Sequence, residues 1–224
     1  MPSGIRILSL PLPFRMGSVN CYLIPTTTGC VLIDTGSSTA RKVLLEQLKN
    51  NGCDKNNLNL VILTHGDFDH TGNAAYLRSE LDSKLAMHQL DSGMVERGDM
   101  FVNRKQPNFL VKSLIPLFTG FGRSERFIPE IFLDDGFDLT PYGLDARVLS
   151  LPGHSAGSIG VLTKEGELFC GDLFENVKEP GLNSIMDDPK TAAISMARLE
   201  KLNIQQVYPG HGQPFRWDGI KKKM

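Results

Sequence analysis

No apolar run in this chain approaches the ~20 residues that a membrane span needs, and no signal-peptide pattern follows Met1-Pro2-Ser3-Gly4-Ile5-Arg6. Those two absences argue against a membrane partner and make a cytoplasmic setting the expectation. An excess of charge of either sign is also absent: 24 basic and 25 acidic residues leave a net value of -1 over 224 residues. No overall field therefore points to nucleic acid or an anionic surface, and Lys221-Lys222-Lys223 reads as a solvated end. Cysteine is sparse and scattered. Cys21, Cys30, Cys53 and Cys170 include no CxxC pair, and Cys21, Cys30 and Cys170 sit in apolar, strand-like surroundings as small hydrophobes. Histidine is scarcer still than lysine or aspartate, with five residues, so where the five fall carries weight.

Hydrophobic residues make up 41% of the chain, enough for one substantial core and a single domain over residues 1–224. Strands are expected at residues 5–12, 20–24, 30–33, 58–63 and 84–88. Helices are expected from about Thr39 to Lys49, capped by Ser37 or Ser38, and from Thr71 to Leu81. Strands alternating with helices make this half mixed α/β. From about 91 to 130 the pattern becomes irregularly helical and is broken by Pro107, Pro116 and Gly120-Phe121-Gly122, which reads as a helical insertion. The second half is richer in strands: 137–139, 146–151, 158–163, 167–170 and 205–208. A helix beginning at Pro189 and running to about Leu202 presents Ala193, Met196, Ala197 and Leu199 as its apolar side.

The densest chemistry lies in Thr64-His65-Gly66-Asp67-Phe68-Asp69-His70, directly after the apolar run Leu60 to Leu63. A loop at the C-terminal end of a buried strand is a common place for chemistry in α/β proteins. Two further histidines stand in the same tripeptide, Pro152-Gly153-His154 and Pro209-Gly210-His211, each after a strand. Cys170-Gly171-Asp172 adds a carboxylate. Glycine directly before His154, Asp172 and His211 permits close backbone approach, so ligands from different strands can converge. His65, Asp67, Asp69, His70, His154, Asp172 and His211 together offer four imidazoles and three carboxylates, a full set for two divalent ions. Asp34, ending a strand before Thr35-Gly36, is either a turn residue or a support for one of these ligands. His88 reads as a cap, and Glu175 and Asp187 as solvated carboxylates.

In this order, Asp34-Thr35-Gly36, the His65 cluster, Gly153-His154-Ser155, Gly171-Asp172 and Gly210-His211-Gly212 resemble the metallo-β-lactamase superfamily over nearly the whole chain. The resemblance implies a four-layer αββα sandwich with a dinuclear site at one edge of two facing sheets. It implies that His65, position 67 and His154 hold one metal, that Asp69, His70 and His211 hold the other, and that Asp172 bridges them. It also implies a hydroxide between the ions as nucleophile, with zinc as the first choice of metal and iron or manganese as alternatives.

The sequence departs from the family pattern His-x-His-x-Asp-His at one position, where Asp67 replaces the second histidine. With three aspartates, two dications and one hydroxide sum to zero, whereas two aspartates leave one positive charge. The extra oxygen ligand favours harder ions, and a more neutral site acidifies water less. The similarity extends to flavodiiron proteins, which also carry an acidic residue there. The first expectation is therefore a hydrolase of a small-molecule ester, thioester, lactone, amide or phosphoester, with Asp69 and Asp172 as its catalytic carboxylates. The alternative is an iron-dependent oxidoreductase on the same fold, flavodiiron-like or sulfur dioxygenase-like. A third reading, a non-catalytic sensor, fits poorly with seven ligand-capable positions. The insertion, with Phe101, Phe109, Leu114, Leu117, Phe118 and Phe121, is expected to form a lid over the site or a homodimer contact.

Overall fold

The computed structural model describes residues 4–105, 108 and 122–221. Two six-stranded sheets carry the fold. The first holds β1 (Arg6–Pro11), β2 (Ser18–Pro25), β3 (Cys30–Ile33), β4 (Leu58–Ile62), β5 (Lys84–Met87) and β6 (Ile131–Phe132) in sequence order. β1, β2 and β3 pair antiparallel, and β3 to β6 run parallel. The second sheet holds β7 (Ala146–Ser150), β8 (Ile159–Thr163), β9 (Glu167–Asn176), β10 (Gly181–Leu182), β11 (Gln206–Gly212) and β12 (Phe215–Arg216). Its order is β12-β11-β9-β8-β7, with β10 paired to β9.

Alternation along the strands divides the core into layers. Val31, Ile33, Leu60, Ile62, Val148, Val161 and Phe169 face inward and fill the space between the sheets. Leu32, Val61 and Leu63 face the other way, against Leu44 and Leu48 of helix α1 (Arg41–Asn50), reached through a short turn, Ser38–Ala40, that Ser37 caps. Leu149, Leu162 and Leu168 face away from the first sheet and pack with Ala192 and Leu199. Both faces of both sheets are thus covered. That is why strands such as β4 read as continuous apolar runs rather than alternating ones. The result is the expected four-layer αββα arrangement.

Several boundaries differ from the expectation, each for a physical reason. The helix expected over 71–81 divides into α2 (Phe68–Thr71) and α3 (Ala74–Leu81). Asn73 sits between them because its Nδ2 donates to the carbonyls of Thr35 and Ser37, at 2.7 and 2.9 Å. Residues 137–139 form only a single bridge, Asp138 to Arg147. β9 continues six residues past Cys170, since β10 and the far half of β11 pair with that continuation. The helix that begins at Pro189 ends at Leu199 and buries Ala192, Ser195 and Leu199, leaving Ala193 and Ala197 exposed. Ser195 is tolerated inside because its Oγ donates to the Pro152 carbonyl at 2.7 Å.

The segment expected as an insertion begins inside helix α4 (Gln89–Arg97), whose Val95 joins the outer layer beside Phe127. Both ends of that segment are therefore core. His88 caps α4 by accepting from Leu90 N, as read from sequence. Phe109, Leu114, Leu117, Phe118, Gly120 and Phe121 lie outside the described residues, as do Pro107 and Pro116. The helix Pro189–Leu199 is α5, and α6 (Asp218–Lys221) closes the described chain.

Candidate metal centre

The loop after β4, the loop after β7, the middle of β9 and the end of β11 meet at one edge of the two sheets. His65, Asp67, Asp69 and His70 come from the first sheet's side, and His154, Asp172 and His211 from the second's. Asp172 and His211 lie within strands rather than after them, so the backbone ladder itself fixes their direction. Close approach explains the glycines. A Cβ at Gly210 would meet Asp172 Oδ1 and stand 2.7 Å from His70 Cε1. Gly171, at φ +52°, would place one 2.6 Å from Thr64 Oγ1. The β11 end is further held from the first sheet by Tyr22 and Asn20, which donate to the Pro209 carbonyl at 2.5 and 3.1 Å.

All four imidazoles share one arrangement: Nδ1 is engaged by an outer group, and Nε2 turns inward. His70 Nδ1 lies 2.8 Å from Asp34 Oδ2, His154 Nδ1 2.7 Å from the Ile185 carbonyl, and His211 Nδ1 2.9 Å from the Ser18 carbonyl. His65 Nδ1 lies 3.0 Å from Thr64 Oγ1. Thr64 donates its hydroxyl proton to Asp34, at 2.8 Å, which leaves its lone pair to accept from His65. These contacts fix the tautomer that leaves a lone pair on each Nε2. Asp34, at φ +60° and fully enclosed, thus supports the ligands rather than merely turning the chain.

Inside this ring, His65, His154 and Asp172 form one group whose ligand atoms all lie within 4.8 Å of one another. Asp69, His70 and His211 form a second. Asp172 reaches both: Oδ1 is 3.3 Å from His70 Nε2, and Oδ2 is 3.4 Å from His211 Nε2 and 4.0 Å from His154 Nε2. Asn183 donates to the same Oδ2 at 3.1 Å. Asp69 Oδ2 lies 3.5 Å from His211 Nε2. Asp67 stands beside the first group rather than within it. Its Oδ2 is 2.9 Å from His154 Nε2 and 3.5 Å from His65 Nε2, while its Oδ1 accepts from Arg104 Nη1. Asp187, expected to be solvated, accepts from Arg104 Nε at 2.6 Å. Glu175 accepts from Ser184 N at 3.2 Å.

Among the described residues, His65 Nε2, His70 Nε2 and Asp172 Oδ1 are buried without a hydrogen-bond partner. Orphaned polar atoms are costly in a protein interior, and a cluster of such atoms facing inward fits the binding of cations. The donor set, nitrogen and carboxylate oxygen, suits a divalent transition ion. The electrostatics agree. Burial and the neighbouring His70 push His65 below its ordinary value, leaving it neutral. Burial opposes protonation of the other three histidines but is outweighed. Asp172 and Asp34 push His70 well up, Asp67 and Asp172 push His154 up to about 9, and Asp172 and Asp69 push His211 up to about 10. Asp172, despite burial, is held well below the usual carboxylate range by His211 and His70.

Three contributors carry no local sequence signal. Arg104 and Asn183 have been named. The third is Asp91, which is buried and ties the two halves of the first group together. It accepts from Gly66 N at 3.0 Å, Ser155 Oγ at 2.6 Å and Gly157 N at 2.8 Å.

Comparison with known proteins places this edge in context. A family model described as the metallo-beta-lactamase superfamily matches residues 15–211. The chain is 31% identical to a probable metallo-hydrolase, MJ0888, of Methanocaldococcus jannaschii, over 88% of each chain. It is 27% identical to a probable metallo-hydrolase, YqjP, of Bacillus subtilis, over 93% of this chain and 71% of that one. Among solved structures it resembles TTHA1623 in a di-iron-bound form, with a TM-score of 0.68 and 28% identity over 92% of this chain and 93% of that one.

Proposed function

The chain belongs to the metallo-β-lactamase superfamily, and on that premise we propose that it is a metal-dependent hydrolase of a small-molecule ester, thioester, lactone, amide or phosphoester. The observation that carries this reading is the set of four Nδ1-anchored imidazoles with their Nε2 atoms turned onto Asp172 and its neighbours. His65 and His154, with Asp67 beside them, would hold one divalent ion, Asp69, His70 and His211 would hold the second, and Asp172 faces both groups. When bound, the ions supply Lewis acidity, polarising the scissile carbonyl or phosphoryl oxygen and acidifying the attacking water.

The chain's own groups do the rest. Asp34 accepts a hydrogen bond from His70 Nδ1–H, which orients the ring so that Nε2 faces the site. Asn183 steadies Asp172 Oδ2. The Asp69 carboxylate, partly open to solvent, takes the proton of the attacking water and passes it to the leaving group.

A second reading, an iron-dependent oxidoreductase, has one observation in its favour. Each group pairs two histidines with a carboxylate, the donor set of non-haem iron oxygenases. One experiment separates the two. Protein purified without added metal is assayed for metal identity and stoichiometry, for hydrolysis of a panel of the five substrate classes, and for oxygen uptake with a persulfide or a reductant. Two ions per chain with chelator-sensitive hydrolysis support the hydrolase. Iron with oxygen uptake and no hydrolysis overturns it.

A further inference from the structure

Asp67 is buried, with 9% of its side chain exposed, and its two oxygens face opposite ways. Oδ2 turns to the imidazoles of His154 and His65. Oδ1 turns to the guanidinium of Arg104, itself only 10% exposed. Arg104 is fixed in place by further acceptors: Asp187 Oδ2 at 2.6 Å, the Met100 carbonyl at 3.2 Å and the His154 carbonyl at 3.3 Å. Arginine suits this position because its planar fork serves several acceptors at once and stays charged.

We infer that Arg104 is a positioning residue that makes Asp67 present one ligand atom to the metal centre, as a histidine does. This rests on the metal-centre reading given above. By holding Oδ1, Arg104 leaves Asp67 only Oδ2 turned toward His154 and His65. The further acceptors of the guanidinium, Asp187 Oδ2 and the Met100 and His154 carbonyls, keep it from following the carboxylate. Without that hold the buried carboxylate can turn away from the imidazoles, and the ion beside it loses a fixed ligand atom.

The test is a double-mutant cycle read by metal affinity. Parent, Arg104→Gln, Asp67→His and Asp67→His/Arg104→Gln are purified, and zinc and iron(II) affinities and stoichiometries are measured by chelator competition. The thermal midpoint of each metal-free protein serves as the folding check. Arg104→Gln is expected to weaken one of the two ions by about 10–100-fold, the size of effect that an outer partner of a ligand commonly has. Asp67→His alone is expected to weaken it similarly, since an imidazole then faces a buried guanidinium. The double variant is expected to return to within about threefold of the parent, the cancellation that coupled residues give. Unchanged affinity in Arg104→Gln, or losses that add in the double variant, overturns the inference. If Arg104→Gln does not fold, Arg104→Lys together with the double variant decides: a double variant that folds and binds both ions at parental affinity supports it, and one that does not overturns it. A parent that binds neither ion would instead remove the metal-centre reading itself.

Discussion

The two halves of the candidate centre are built on different supports. His70, in the second half, is backed by a carboxylate, Asp34, enclosed within the first sheet. His65 and His154, in the first half, are backed by neutral oxygens, Thr64 Oγ1 and the Ile185 carbonyl, and their carboxylate neighbour is tied to Arg104. An anionic outer partner raises a ligand's basicity more than a neutral one. His211, also in the second half, is backed by the neutral Ser18 carbonyl, so the difference rests on His70, and the second ion is expected to bind more tightly than the first. The first half draws its supports from Asp91 on α4 and from Arg104 beyond it, so it is the half open to tuning by the chain that follows.

Asp172→Asn removes what the halves share. Turnover is expected to fall to background, with metal stoichiometry dropping in both halves while the far-UV circular dichroism is unchanged. Asp69→Ala should lower kcat by about 10²–10⁴-fold with the first half still loaded; a near-parental rate at full metal content would show that the proton moves elsewhere. Asp34→Asn separates the halves. The new amide donor opposite His70 Nδ1 forces the proton onto Nε2, so the second ion should bind about 10–100-fold more weakly. Equal weakening of both ions, by competition titration, would erase the distinction. Asp91→Asn is its counterpart on the first side. It sets an amide against buried N–H donors at Gly66 or Gly157 and should cost about 2 kcal/mol of stability in urea melts, with first-half affinity reduced and the second intact.

The last comparison concerns pH. The first half contains one histidine whose metal-free form holds a proton above neutrality, His154 to about 9, whereas the second contains two, His211 to about 10 and His70, also pushed well up. An ion must displace those protons. Apparent affinity should fall as pH falls, by about tenfold per unit below pH 9 for the first ion and more steeply for the second. Calorimetry in buffers of different ionisation enthalpy should register the released protons.

The residues that meet at this edge are visible in the sequence because they cluster directly after β4 or follow a glycine beside a strand-like run, as His154, Asp172 and His211 do. Asp34 was half legible, as a strand-end residue with two possible roles. Arg104, Asp91 and Asn183 were not. Arg104 reaches partners 37, 50 and 83 positions away, and Asp91 spans 25 to 66, so no local pattern marks them. On α5 the expected Leu199 and Met196 do pack against the core, whereas Ala193 and Ala197 are exposed and Ala192 and Ser195 are buried instead, because alanine signals burial weakly and serine reads as polar. The strand limits of β9 and β11 were set too short because their ends are polar, and pairing across the sheet rather than composition extends them.

Each ligand group takes side chains from both sheets, two imidazoles from either side of the seam. An ion held there is also a rivet between layers. The apolar filling of the middle layer resists pulling the sheets apart but offers little against one sliding over the other. Stripping the ions should therefore loosen shear at that edge, leaving the opposite edge and the helical covers as tight as before.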